Sequence, residues 1–385
     1  MDAPVGVVGL GAIGSCALWR LAAQGTPALG FEQFYPGHPY GSSHGLSRLY
    51  RLVALEGPQY VPLGQLALRL WRQLEEESGA TILTTTGGLN IGSPDSEVVR
   101  GTLESAQKFD LPHQLLTADE LRTRYPQHAI TGAEVAVIDP AAGVLRPECG
   151  ITAAAQSAES QSARVVRNVR VTGIEPDADG VTVHTEARSF RVGELVLSTG
   201  AWTQKLLPSP EFSHSVKRVV MSWFQPRSDG PAKFTPEEFP VFIRDVPETG
   251  MGAWGVPAID GPLVKIGPET YSDHEDDPDN IDRAIYATDT AYISEYVERY
   301  LPGLDPQPVK VQPCVIAPSQ DDHFILGRHE SLPHVVLAAG LGGHGFKYAT
   351  AIGEVAASLA SGAGSPVPIG AFTPERLSYS MTGRS

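Results

Sequence analysis

The chain opens on the apolar run Val5-Gly6-Val7-Val8, with the unbroken hydrophobicity of a strand buried on both faces. It continues into Gly9-Leu10-Gly11-Ala12-Ile13-Gly14. After it, Ala17, Leu18, Leu21 and Ala22 fall on one helical face, up to about Gly25. A second strand, residues 27–31, then delivers Glu32. Leu63, Leu66, Leu70, Trp71 and Leu74 have the spacing of a core helix. Residues 165–185 read as β-rich. The strand Leu195-Val196-Leu197 after them ends in the small-residue turn Ser198-Thr199-Gly200-Ala201. Near the C-terminus the strand Val335–Ala339 enters Gly340-Leu341-Gly342-Gly343-His344-Gly345-Phe346-Lys347. A helix is expected from about Ala349, with Ile352, Val355, Ala356 and Leu359 on one face. The pattern predicts an α/β fold with α+β elements.

The first strand, glycine turn, helix and second strand complete a βαβ dinucleotide-binding unit. Gly9 permits the tight turn, Gly11 lets the backbone approach a diphosphate, and Gly14 allows close helix–strand packing. The helix N-terminus offers free N–H groups to the phosphates, and Glu32 is placed to accept from ribose hydroxyls. This unit alone does not separate FAD from NAD. The later features favour flavin: a returning strand that ends at Gly200, a β-rich segment before it, and a remote second glycine turn. That second turn suits the electron-rich end of an isoalloxazine ring, for which an NAD enzyme has no need.

Composition narrows the setting. The 385 residues are 42% hydrophobic and 19% charged, enough for one or two packed domains. A formal net charge of −15 argues against nucleic acid and against an anionic membrane surface as partners. Met1-Asp2-Ala3-Pro4 has no basic leader, and the apolar run of residues 5–18 is Gly-rich and too short to span a bilayer. Three cysteines (Cys16, Cys149, Cys314) lack metal spacing and fit a reducing, cytoplasmic setting. No HExxH, CxxC or GxSxG motif occurs, and no metal is expected. The acidic run Asp273-His274-Glu275-Asp276-Asp277-Pro278-Asp279 reads as a solvated loop, with Asp279 starting a helix.

Four ordered motifs carry a family resemblance that covers nearly the whole chain. They are residues 9–14; residues 41–51 (Gly41-Ser42-Ser43-His44-Gly45-Leu46-Ser47-Arg48-Leu49-Tyr50-Arg51); Cys314 followed by Asp321-Asp322-His323-Phe324-Ile325; and Gly343-His344-Gly345-Phe346-Lys347. The chain resembles the monomeric sarcosine oxidase and N-methyltryptophan oxidase family, itself related to fructosyl amino acid oxidases. The resemblance implies a two-domain flavoprotein: a Rossmann-like FAD domain and a substrate domain whose mainly antiparallel sheet covers the flavin. The expected boundaries are residues 1–80, 140–215 and 310–385 for the first, and 81–139 and 216–309 for the second.

The resemblance also assigns roles. It implies covalent attachment of FAD to Cys314 and a substrate carboxylate held by Arg51 and Lys347. It places Lys265 over the flavin as the oxygen-activating cation. His44 and Arg48 fall beside the ring, where their charge stabilises the reduced flavin. Gly9, Gly11, Gly14, Glu32, Ser42, Arg48, Gly200, Gly343, Gly345, Phe346 and Lys347 complete the cofactor contacts, and His344 reads as structural. A lysine at a helix start is electrostatically unfavourable without a nearby anion, which supports a functional reading of Lys347.

Three pocket positions depart from the family. The sarcosine oxidases carry Tyr, His and Tyr where Trp254, Glu269 and Ile316 stand. These three, with Gly343, are expected to line the substrate pocket. Glu269 is suited either to bind a cationic or hydroxylated group or to face water. The expected reaction oxidises the C–N bond of an amino acid or N-substituted amino acid to an imine, with molecular oxygen reduced to hydrogen peroxide. Open alternatives are a fructosyl amino acid oxidase, a flavin amine dehydrogenase with another electron acceptor, and a non-catalytic flavoprotein subunit. A monomer or simple homo-oligomer is expected.

Overall fold

In the computed structural model, residues 1–208, 215–228, 233–269 and 277–377 are described. The first strand, Ala3–Val8, is central to an eight-stranded sheet and pairs in parallel with Ala28–Phe31 on one side and Ser189–Leu197 on the other. On its other edge the long strand Ser189–Leu197 serves two further partners. Residues 189–192 take the hairpin formed by Val171–Asp177 and Gly180–Thr185, and Leu195 to Leu197 pair in parallel with Val335–Ala339. Residues from both ends of the chain are thereby joined through the 189–197 strand. The helices Ala12–Ala23, Val61–Ser78, Pro147–Glu159 and Ala349–Ala360 share one apolar core on one face of this sheet.

A nine-stranded sheet forms the second layer. Its order is Leu341–Gly342, Lys310–Pro318, Lys217–Phe224, Val264–Pro268, Met251–Val256, Val241–Val246, Gly88–Gly92, Val135–Asp139, Gln114–Leu116. Every pair is antiparallel except Val241–Val246 with Gly88–Gly92, so the expectation of a mainly antiparallel sheet is met. Its own aliphatic and phenylalanine core packs against Ile293, Tyr296, Val297 and Tyr300 of the helix Ala287–Tyr300. One expected boundary moves. Lys310–Pro318, assigned by sequence to the nucleotide unit, pairs along the whole of Lys217–Phe224 in this second sheet. Cys314 therefore stands on a strand of the second layer. A small sheet of Arg48–Tyr50, Gly143–Leu145 and Leu83–Thr85 lies between the two large ones.

The acidic loop also differs from expectation. Residues 273–276 of the run lie outside the described residues. Asp279 does not start a helix, since the next helix begins at Ala287 and is capped by Tyr286 and Asp289. No helix among the described residues is long and apolar enough to cross a membrane.

Candidate active site

A cavity of about 920 Å³ is lined by residues from the first glycine turn through to the second sheet. That is the upper end of the ~300–1,000 Å³ usual for cofactor and ligand sites. At its nucleotide end the three glycines divide the work. Gly9 has φ +85°, and a Cβ there would meet Ser198 O at 2.8 Å. A Cβ on Gly14 would sit 1.9 Å from Gly9 O, so only glycine lets the helix lie this close. Gly14 accordingly packs behind the turn rather than lining the cavity. A Cβ on Gly11 would meet nothing within 4 Å and would project into the space that a diphosphate needs. Glu32 is buried and accepts from Leu10 N at 2.8 Å and Phe34 N at 2.9 Å. Burial pushes its carboxyl up while these amides pull it down. Ser42 and Gly200 line the same end.

A strap from the second layer ties this end down. Asp279 accepts from Trp202 Nε1 at 2.8 Å, Arg170 at 2.7 Å and Lys205 at 2.5 Å, all three being cavity-lining residues. Asp277 adds a second ion pair to Lys205 at 2.6 Å. Arg283 donates to Tyr40 O at 3.0 Å, fixing the strap to the loop before Ser42.

At the far end Arg51 and Lys347 converge. Both are buried, 5% and 3% exposed, and both donate to the same oxygen of Glu56, at 2.7 and 2.6 Å. Glu56 was not singled out by sequence. An acid before Gly57-Pro58 reads as a solvated turn, and only its position five residues past Arg51 gave a signal. Burial raises the Glu56 pKa, but Arg51, Lys347 and His344 overrule it and hold the carboxyl well below the ordinary range. Burial and Arg51 pull Lys347 down to about 8. Arg51 Nε and Nη1 and Glu56 Oε2 are buried without a hydrogen-bond partner among the described residues. Buried polar atoms are rarely left so, and several converging on one spot fit a polar ligand. Asp139, also missed by sequence, accepts from Leu52 N and Val53 N at 2.7 and 2.9 Å and thereby sets the backbone beside Arg51.

Between the two ends lie Cys314 and its neighbours. The Cys314 thiol is buried at the cavity wall, 3.8 Å from Arg48 Nη2. Arg48 is itself fixed by Ser42 O at 2.9 Å and Ser47 O at 2.8 Å. Lys265 is 1% exposed and donates to Gly45 O and Ser47 O, each at 2.9 Å. Its ammonium lies 5.2 Å from the Trp223 ring centre and 5.4 Å from that of Trp254. Burial, then Arg48, pulls its pKa well below the usual lysine range. Lys265 and His44 stand behind the residues that line the cavity. His44 hydrogen-bonds Gln312, and burial with Arg48 and Lys265 drives its pKa down to about 3. Burial and these cationic neighbours oppose a charge on His44, and Arg48 is the cationic side chain beside Cys314.

The substrate-side residues form the end wall. Trp254, Glu269, Ile316 and Gly343 all line the cavity, and a Cβ on Gly343 would meet Ile316 Cγ2 at 4.0 Å. Gly345 fits where a Cβ would lie 2.6 Å from Leu341, and Phe346 stacks on Trp71 at 5.5 Å. His344 stacks on Phe324 at 4.9 Å, and burial holds it neutral, at about 4.

A parallel βαβ grip, a returning strand and a second glycine turn on one cavity define a dinucleotide-dependent oxidoreductase. More narrowly, the chain belongs to the family described as FAD dependent oxidoreductase, whose model matches residues 4–359. The monomeric sarcosine oxidase of Streptomyces avermitilis is 38% identical, covering 96% of this chain and 97% of the relative. The N-methyl-L-tryptophan oxidase of Yersinia pestis is 31% identical, covering 98% and 100%. Among solved structures, the amino acid oxidase NikD of nikkomycin biosynthesis superposes with TM-score 0.83 at 24% identity, over 97% of each chain. L-Proline dehydrogenase from P. horikoshii gives 0.85 at 22%, over 98% of each. These two likenesses concern the fold.

Proposed function

We propose that the protein oxidises the C–N bond of an amino acid or N-substituted amino acid that it grips by the carboxylate, giving an imine and hydrogen peroxide. The convergence of Arg51 and Lys347 on one carboxylate oxygen carries this reading. A planar guanidinium and an ammonium held together by burial form a grip for a carboxylate, at the end of a cavity that begins at a dinucleotide turn. The names of the sarcosine and N-methyltryptophan oxidase relatives support the substrate class. FAD, when bound, supplies the hydride acceptor and the route of electrons to oxygen.

The chain's own residues do the rest. Arg51 and Lys347 orient the substrate by its acid, so that the reacting bond faces the middle of the cavity. Glu56 holds both cations ready and yields or shares that oxygen when a substrate carboxylate arrives. Trp254 and Ile316 give the amine side an apolar wall and keep water from it. Arg48 lies 3.8 Å from the Cys314 thiol, the position proposed for a covalent flavin bond. Lys265 supplies the cation, or the proton, for oxygen reduction. The test is a peroxide-coupled screen of N-methyl, cyclic, fructosyl and free amino acids on the yellow enzyme. Peroxide from an acid-bearing amine is expected, with colour retained by acid-denatured protein but not by Cys314→Ser. No flavin bleaching by any such amine would remove the reading.

A further inference from the structure

Glu269 continues the ladder of its strand by one residue, its N–H donating to Gly252 O at 3.3 Å. The strand end is pinned from both sides. The Trp254 indole N–H donates to Pro268 O at 3.2 Å, and the Tyr292 hydroxyl accepts from Gly252 N at 2.7 Å. The stem of Glu269 lies across Gly252, where a Cβ would meet its Cβ and Cγ at 3.3 Å. The stem is thus held at the cavity wall and the carboxylate is open to it. It has neither a hydrogen bond nor an ion pair among the described residues, unlike Glu56 across the cavity.

The charges that face it are named readily. Arg51 and Lys347 attract it, Glu56 and Asp245 repel it, and Tyr292 stands behind it. Of the acids, Glu56 is committed to the two cations, and Asp245 does not line the cavity. One wall therefore grips an anion, and another presents an unengaged anion. An amino acid at neutral pH has that same polarity, with a carboxylate and an ammonium one carbon apart. Loss of hydride, however, requires the nitrogen lone pair, so the ammonium must first lose its proton.

We propose that Glu269 binds the substrate as its ammonium and takes that proton, leaving the neutral amine in place and Glu269 as the carboxylic acid. The proton leaves through the open cavity after product departs. This rests on the function proposed above and adds the base that the sequence did not supply. Although its side chain is exposed to the cavity, the protein surrounding Glu269 holds its carboxyl above the ordinary glutamate range, the direction that suits proton transfer from an ammonium. It also assigns a purpose to the exchange of the family's His for an acid at this position.

Two measurements on the flavin-loaded enzyme test it with Glu269→Gln, which keeps the side chain's shape. The first compares trimethylammonioacetate, a fixed cation, with its uncharged isostere 3,3-dimethylbutanoate, each titrated by its perturbation of the flavin absorbance. Wild type is expected to prefer the cation, and Glu269→Gln to lose roughly 10–100-fold of that preference while binding the isostere as before. The second follows anaerobic flavin bleaching by the best substrate of the screen. At saturating substrate, which offsets the weaker grip once Lys347 loses its charge, wild type is expected to bleach near pH ~7, and Glu269→Gln to be slow there but to recover near pH ~10, where the free amine is abundant. A variant that retains both the cation preference and the wild-type pH profile overturns the proposal. So does a wild type that prefers the isostere. If no amine bleaches the wild type at any pH, the proposed function itself is lost, and the binding comparison alone decides the role of Glu269.

Discussion

Lys347 illustrates how one residue's oddity resolves. A lysine leading into the helix Ala349–Ala360 lies at the positive end of the helix dipole, and burial adds to the cost. The compensating anion is Glu56, 291 residues earlier in the chain. Because burial and Arg51 bring Lys347 down to about 8, its charge is lost as pH rises through that value. A substrate carboxylate needs the charged form, so affinity is fully present below it and falls above it. The dissociation constant of a carboxylate inhibitor is expected to be flat to about pH 8 and then to rise by roughly tenfold, the worth of one charge-assisted hydrogen bond. In Lys347→Met the same constant is expected to be weak and flat across that range, since the group whose charge is lost there has been removed. Arg51 and Lys347 were legible because the motifs around them are local in sequence. Glu56 and Asp139 were not, because what marks them is the burial and pairing that long-range folding imposes.

Elements followed the hydrophobic periods closely. The strands Ala3–Val8 and Val335–Ala339 and the helices Ala12–Ala23, Val61–Ser78 and Ala349–Ala360 lie where apolar spacing placed them. The failures are where polar residues have distant partners. Asp279 has the composition of a helix start, yet its carboxylate is taken by Trp202, Arg170 and Lys205. Lys310–Pro318 joined the second sheet because its partner strand, Lys217–Phe224, lies far away in sequence. The strap is held by ion pairs that are half-exposed, which individually contribute about 0–1 kcal/mol and are screened by salt. Asp279→Ala removes one carboxylate from three donors at once. It is expected to leave the melting temperature within about 1–2 degrees, while releasing flavin several-fold faster from a Cys314→Ser background. Flavin release at rising salt checks it, since wild type should approach the variant.

At the scale of the whole molecule, the two ends of the chain build one unit. The helix Ala349–Ala360 crosses Ala12–Ala23 so closely that a Cβ on Gly353 would lie 2.7 Å from Ala17 N and Cys16 Cβ. Gly353→Val is expected to cost about 1–3 kcal/mol or more, read as a lowered unfolding midpoint together with reduced flavin content. That coupled loss would separate closure of this contact from a local packing defect, which would leave the flavin bound.

The strand Val335–Ala339 completes the central sheet, and the glycine turn behind it walls the same cavity as the first one. The two turns lie far apart in the chain, and folding must bring them together before the cavity exists. Cofactor capture is consequently a property of the assembled fold rather than of either turn alone, and a fragment that carries the first turn without residues 335–347 is expected to stay colourless when incubated with FAD.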